Sequence, residues 1–99
     1  MSRKLPQNCA SMTELRHEID ALDTDLVALL AERAGYIDRA ISLKQIEKLP
    51  ARIDDRVAEV ISSVRRLAQT KDLDADLAEK LWSTLIEWSI EREEAQLGK

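Results

Sequence analysis

Two cations lie on the otherwise apolar face of a segment that has the pattern of a helix. Arg33 and Lys44 are eleven residues apart, so on a helix they share nearly the same azimuth and stand about 16 Å apart along the axis. A charge on an apolar face is stable only when a carboxylate or an anionic ligand pairs with it. The spacing therefore indicates a small anion-binding pocket, and the plainer alternative is that both side chains extend to water.

A later helical segment brings an acid onto a similar face. Trp82 and Glu93 are again eleven residues apart, and Ser89 is an i, i+4 neighbour of Glu93. The alternative is a surface glutamate near a helix end. Arg16 lies some 25 Å from Arg33 along the first helix, so it reaches a pocket built on Arg33 only from a partner chain that runs antiparallel.

Three helices are predicted to position these residues. The first opens with Ser11 and Glu14, whose spacing is that of a capping box, and runs to about Lys48, where Pro50 disfavours further helix. Its apolar residues recur at steps of four and three, a spacing suited to helix packing: Leu15, Ile19, Leu22, Leu26 and Leu29.

The second and third helices are shorter. The second is predicted to start near Asp54 or Asp55, and its apolar face comprises Val57, Val60, Ile61, Val64, Leu67 and Ala68. Asp74 is predicted to cap the third, whose inward residues are Leu77, Leu81, Trp82, Leu85, Ile86 and Ile90. The predicted fold is all-α, with an N-terminal tail at 1–10 and a single helical domain at 11–97.

The length of the first helix favours an assembly of two chains. At 1.5 Å per residue it would measure about 50 Å, whereas a compact globule of this chain length is about 33 Å across. Its apolar face needs cover along its full length, and a second copy provides that cover. We therefore expect a three-helix protomer in an intertwined homodimer.

Composition narrows the classes of function. The 99 residues are 44% hydrophobic and 34% charged, and two glycines with two prolines favour helices over sheets. A net charge of −4 argues against nucleic acid and anionic membranes as partners.

A single cysteine, Cys9, allows no intrachain disulfide, and no signal peptide or transmembrane run is present, so we expect a cytoplasmic protein. The lone His17 makes no metal site, and no metal-ligand cluster or phosphate loop is evident.

Two segments carry a resemblance to a known family. The stretch "LRHEIDALDTDLVALLAER" and the following Lys44 resemble the first helix of the all-helical chorismate mutases and their relatives, the isochorismate pyruvate-lyases. The stretch "LDADLAEKLWSTLIEWSIEREEA" resembles the third helix of that family. The resemblance covers about Met12 to Ala95 and implies an interlocked dimer of three-helix protomers that binds a small dicarboxylate without a cofactor or metal.

The resemblance also implies roles for individual residues. Arg16 from one chain and Arg33 from the other would bind substrate carboxylates, and Lys44 would contact the ether oxygen whose bond breaks. Ser89 and Glu93 match positions that contact a carboxylate and that same oxygen. Arg56 matches an arginine that opens the second helix.

Three positions depart from the mutase pattern. Val57 stands where mutases commonly place a glutamate for the substrate hydroxyl, and Ile53 replaces an aspartate for which Asp54 or Asp55 would substitute if the loop shifts. Glu93 replaces a common glutamine, and an ionised glutamate cannot donate a hydrogen bond to an ether oxygen. We therefore expect activity to rise as the pH falls.

The predicted function is rearrangement of chorismate to prephenate by fixed charges and a held conformation. Val57 and Trp88 are more typical of the lyases, so pyruvate elimination from isochorismate, which yields salicylate, is the alternative. A non-catalytic helical dimer that serves as a scaffold is the alternative from a different class.

Overall fold

The computed structural model describes residues 3–98, which form three α-helices after a single 3-10 turn at Pro6–Asn8. The helices are α1 (Met12–Glu47), α2 (Asp54–Thr70) and α3 (Ala75–Leu97). No strand occurs in the described part of the chain, and the all-α prediction is confirmed. The chain forms two compact units, Met1–Tyr36 and Ile37–Lys99. The homodimer stays a prediction.

The first unit contains the start of α1, where the predicted capping interaction is present. The Glu14 amide donates to Ser11 Oγ at 3.1 Å, and the Glu14 carboxylate accepts from the Ala10 amide at 2.9 Å. Lys4 forms an ion pair with the same carboxylate. Because the first amides of a helix have no partner within it, these contacts stabilise the helix start.

The apolar residues of α1 in this unit face water in the single chain. Ile19, Leu22, Leu26 and Leu29 retain 38–60% of their surface exposed. They are the residues whose spacing predicted a packing face. Large apolar side chains in a row along one helix form the kind of surface that another helix covers.

The second unit has its core between α2 and α3. Ala51, Ile86 and Ile90 are buried together, and the half-buried residues packed on them are Val57, Val60, Ile61 and Leu97. Three leucines of the predicted apolar faces are exposed in the single chain, namely Leu67 on α2 and Leu77 and Leu81 on α3. Periodicity identifies an apolar face but not which element covers it, so the inward placement of these leucines in a homodimer stays a prediction.

The helix ends in the second unit follow local chemistry. Asp74 caps α3 as predicted, because its carboxylate accepts from the Asp76 amide at 2.9 Å and from the Leu77 amide at 3.4 Å. After α1, Lys48 adopts a left-handed conformation with φ of 60°, and the Leu49 amide donates to the Lys44 carbonyl at 2.9 Å. That geometry is typical of a helix C-terminus.

Two structural features are absent from residues 3–98, namely a helix able to span a membrane and a cluster of metal-binding side chains. None of the three helices combines the length and the apolar character that crossing a bilayer requires. No group of three or more histidine, cysteine, aspartate or glutamate side chains is placed to hold a metal ion within that range.

Candidate functional site

The most distinctive polar contact of the second unit joins Lys44 to Glu93. Lys44 Nζ lies 2.6 Å from Glu93 Oε1, and it also donates to the backbone carbonyl of Ala51 at 2.7 Å. The Lys44 side chain is 17% exposed and the Glu93 side chain 5% exposed. Two of the residues singled out from sequence, 49 positions apart, are therefore in direct contact.

Local structure explains how the two side chains meet. Lys44 is in the last turn of α1, and Glu93 is in the interior of α3. The two plainer alternatives, a lysine that extends to water and a surface glutamate, are wrong for this pair. A buried ion pair with well-formed hydrogen bonds offsets much of the desolvation that each charge would otherwise suffer. The arrangement places a fixed positive charge and a carboxyl group side by side.

Ser89 lies one turn before Glu93 on α3 and is also buried, with 4% of its surface exposed. Its hydroxyl donates to the Leu85 carbonyl at 2.8 Å, a bond that serine commonly makes within its own helix. A hydroxyl can rotate to a different acceptor at small cost because its rotation is a single torsion. The predicted carboxylate contact of Ser89 stays a prediction.

The start of α2 carries the remaining predicted residues of this unit. Asp55 and Arg56 are both exposed in the first turn of the helix, and Arg56 forms an ion pair with Glu59. Ile53 occupies the N-cap position without a side-chain capping bond, and Val57 is half-buried against the core. Neither replaced carboxylate position therefore offers a polar group, and the substitution by Asp55 stays a prediction.

Arg16 and Arg33 belong to the first unit, where both lie on α1. Arg16 is exposed and Arg33 is half-buried. Lys44 and Glu93 thus meet within one compact unit, whereas the two arginines belong to the other unit. Their participation in one site with Lys44 stays a prediction.

One cluster was missed by the sequence reasoning. Arg92 donates to both carboxylate oxygens of Asp38, at 2.6 and 3.1 Å, and its guanidinium lies 5.4 Å from the centre of the Trp88 ring. The hydrogen bond from Arg92 lowers the pKa of the Asp38 carboxyl, and attraction between the two charges adds to that effect. No spacing in the sequence indicates this contact, because Asp38 and Arg92 are 54 positions apart and on different helices.

Comparison with known proteins gives these residues a family context. Residues 15–94 match the family described as chorismate mutase type II. An isochorismate pyruvate lyase of Pseudomonas aeruginosa is 34% identical over 88 residues, which cover 88% of this chain and 85% of that protein. A chorismate mutase of Methanocaldococcus jannaschii is 25% identical over 76 residues, or 77% of each chain.

A third relative is a longer protein. The bifunctional chorismate mutase/prephenate dehydratase of Escherichia coli K12 is 34% identical over 83 residues. The match covers 84% of this chain but only 22% of that protein, so the chain spans about a fifth of its length. The family match extends over most of the chain and includes Lys44 and Glu93. The chain therefore belongs to the chorismate mutase type II family.

Proposed function

We propose that this chain is an enzyme that rearranges chorismate to prephenate. The observation that carries the proposal is the contact between Lys44 Nζ and Glu93 Oε1, 2.6 Å apart and shielded from water. The reaction breaks one C–O bond and forms one C–C bond in the same molecule. It transfers no electron to a second reactant, and it requires no nucleophile. A site made of fixed charges and hydrogen-bond donors is sufficient for such chemistry.

In this proposal the two side chains act on the ether oxygen of the substrate. Negative charge develops on that oxygen as the C–O bond lengthens, and the Lys44 ammonium stabilises it. Glu93 contributes a second hydrogen bond only when it is protonated, since an ionised carboxylate has no proton to donate. The substrate carboxylates would be held by Arg16, Arg33 and Ser89. The two arginines suit this role because a guanidinium group binds a carboxylate through two parallel hydrogen bonds.

The proposal includes a homodimer in which Arg16 acts in the partner's site. It is supported by the exposed row of Ile19, Leu22, Leu26 and Leu29 on α1, which a second copy would cover. Mixing two inactive variants tests the arrangement. Co-refolded Arg16→Ala and Lys44→Ala chains should regain about a quarter of parental activity, because half the dimers are mixed and one of their two sites is intact. Activity that stays at the level of the separate variants would contradict the contribution in trans.

Pyruvate elimination from isochorismate is the second candidate. Two observations favour it. Val57 packs on the apolar core at a position where a mutase commonly has a glutamate. The chain is also similar to the lyase of Pseudomonas aeruginosa over 85% of that protein. In this reaction the C–O bond to the enolpyruvyl group breaks while a ring hydrogen moves to its methylene carbon, yielding salicylate and pyruvate. The same ammonium would stabilise the breaking bond.

Separate incubation of the purified protein with each substrate tests both candidates. Loss of chorismate absorbance identifies the mutase, and appearance of salicylate fluorescence identifies the lyase. Lys44→Ala serves as the inactive control in both assays. If neither substrate is consumed faster than by that control, the catalytic proposal fails and the scaffold alternative is favoured.

A substitution at position 57 tests how the substrate hydroxyl is recognised. Val57→Glu should lower the KM for chorismate by about tenfold, because a hydrogen bond between a charged group and a hydroxyl contributes about 1.5 kcal/mol. Val57→Gln is the matched control for shape without the charge. Equal KM values for the two variants would show that the hydroxyl is bound elsewhere.

A further inference from the structure

The segment between α1 and α2, residues 48–53, supplies one of the two acceptors of the Lys44 ammonium. That acceptor is the Ala51 carbonyl, 2.7 Å from Nζ, and the other is the Glu93 carboxylate. An ammonium on a four-carbon chain has many rotamers, so two acceptors in different directions restrict it far more than one does. The position of the Lys44 charge therefore depends on where this connecting segment lies.

The segment is attached at its start and in its middle. The Leu49 amide donates to the Lys44 carbonyl at 2.9 Å, so the backbone of Lys44 is also bonded to the segment. Ala51 is 3% exposed and packs on Ile86 and Ile90 of α3. A single methyl group buries little area, so this packing by itself holds the segment weakly.

A third attachment follows directly after Ala51. Arg52 donates through both terminal nitrogens to the two carboxylate oxygens of Glu87 on α3, at 3.1 and 2.6 Å. The hydrogen bond from Arg52 lowers the pKa of Glu87, and the same bond raises the pKa of Arg52, so the pair remains ionised in mildly acidic solution. A two-pronged contact of this kind fixes direction as well as distance.

We propose that Arg52 and Glu87 are positioning residues that hold the 48–53 segment on α3 and so keep the Ala51 carbonyl directed at the Lys44 ammonium. The proposal deepens the proposed function, on which it rests. Within residues 3–98, no hydrogen bond joins Arg52 or Glu87 to Lys44 or Glu93, so the two residues act through the backbone of the segment.

The expected signature is a loss of turnover without a loss of binding. When the Arg52–Glu87 contact is absent, the segment departs from α3 more often, and the ammonium spends less time at the breaking bond. The substrate carboxylates are assigned to other side chains, so KM should change little. Both side chains are about half exposed, at 43% and 52%. Exposed ion pairs contribute modestly, so we expect kcat to fall by about two- to fivefold.

The experiment compares Arg52→Gln and Glu87→Gln with a matched control, Arg65→Gln. Arg65 is also partly exposed and bonds to Asp76 and Glu79, joining α2 to α3 without touching the 48–53 segment. The control should lower the melting temperature by a similar amount and leave kcat unchanged. The Arg52→Lys variant should have a higher kcat than Arg52→Gln but a lower kcat than the parent, because lysine restores the positive charge but not the two parallel hydrogen bonds of the guanidinium group.

A second measurement does not require activity. Hydrogen exchange of the Leu49 amide, which reports its bond to the Lys44 carbonyl, should accelerate by about the same two- to fivefold in Arg52→Gln and not in Arg65→Gln. If the parent chain turns over neither substrate, the proposed function fails. The exchange result then still tests whether Arg52 and Glu87 hold the 48–53 segment on α3.

The charge-swapped pair Arg52→Glu with Glu87→Arg completes the test. It should restore kcat and Leu49 exchange towards the parental values when each single swap lowers kcat. The positioning proposal is overturned if kcat is unchanged in both single glutamine variants, or if Arg65→Gln lowers kcat as much as they do. It is also overturned if Leu49 exchange is unaffected by loss of Arg52.

Discussion

The Lys44–Glu93 contact allows a quantitative prediction about stability. Lys44→Met keeps most of the apolar part of the side chain but removes the ammonium that pairs with Glu93, a residue that is only 4% exposed. Breaking a buried pair from one side typically costs about 3–5 kcal/mol, because the remaining charge is uncompensated. The Ala51 carbonyl also loses its donor. We expect Lys44→Met to destabilise the fold by about 3–5 kcal/mol at neutral pH.

The assay is urea unfolding followed by circular dichroism. With an m value of about 2 kcal/mol/M, the midpoint should fall by about 2 M. All variants are compared at one protein concentration, because the proposed homodimer would make the free energy of unfolding depend on concentration. Lys80→Met, at an exposed lysine of α3, is the matched control and should change the free energy of unfolding by less than about 0.5 kcal/mol.

A double-mutant cycle isolates the pair itself. Glu93→Gln should cost only about 1–2 kcal/mol, since the amide oxygen still accepts from the Lys44 ammonium. The double variant should be more stable than the sum of the single effects predicts, by about 2 kcal/mol, because it leaves no uncompensated charge. Single effects that add to within about 0.5 kcal/mol would refute the reasoning.

Four further predictions concern individual contacts. Lys44→Ala should lower kcat by about two to three decades, since one fixed electrostatic donor contributes about 3–4 kcal/mol, and near-parental turnover would remove Lys44 from the mechanism. Glu93→Gln should flatten a pH–rate profile that rises towards acid in the parent, and an unchanged profile would refute the role of Glu93 as donor. Asp74→Ala should cost about 1 kcal/mol in urea unfolding through loss of the α3 cap, with no change in kcat. Because Arg92 lowers the pKa of Asp38, the stability gained from this pair is present at neutral pH and lost as the pH falls through the lowered value, so Asp38→Asn and the parent should converge in acid.

Local chemistry accounts for the features that were predictable in advance. The Ser11–Glu14 contact and the Asp74 cap each depend on residues within four positions of one another, so the sequence pattern is enough to identify them. The start of α2 at Asp54 and the end of α1 before Pro50 follow from the same kind of short-range constraint. Residues of interest for chemistry were also visible, because charges on apolar faces are costly and stand out.

Contacts between segments distant in the sequence determine which apolar faces are covered and which charged side chains pair. Leu77 and Leu81 have the spacing of inward residues yet are exposed, since a helix pattern contains no information on which face another element covers. Arg92 and Asp38, or Arg52 and Glu87, are exposed ions like many others in the sequence, and only packing shows which pairs meet.

The amino-acid sequence is enough to predict that the chain is helical, about where its helices begin and end, and that Lys44 and Glu93 lie on faces where charge requires a partner. The folded chain is needed to show that these two side chains pair with each other, and that the Ala51 carbonyl is the second acceptor of the ammonium. The physical reason is the distance along the chain over which each interaction acts. Capping and periodicity act within a few residues, whereas the burial that makes an ion pair selective exists only after α3 has packed against the rest of its unit.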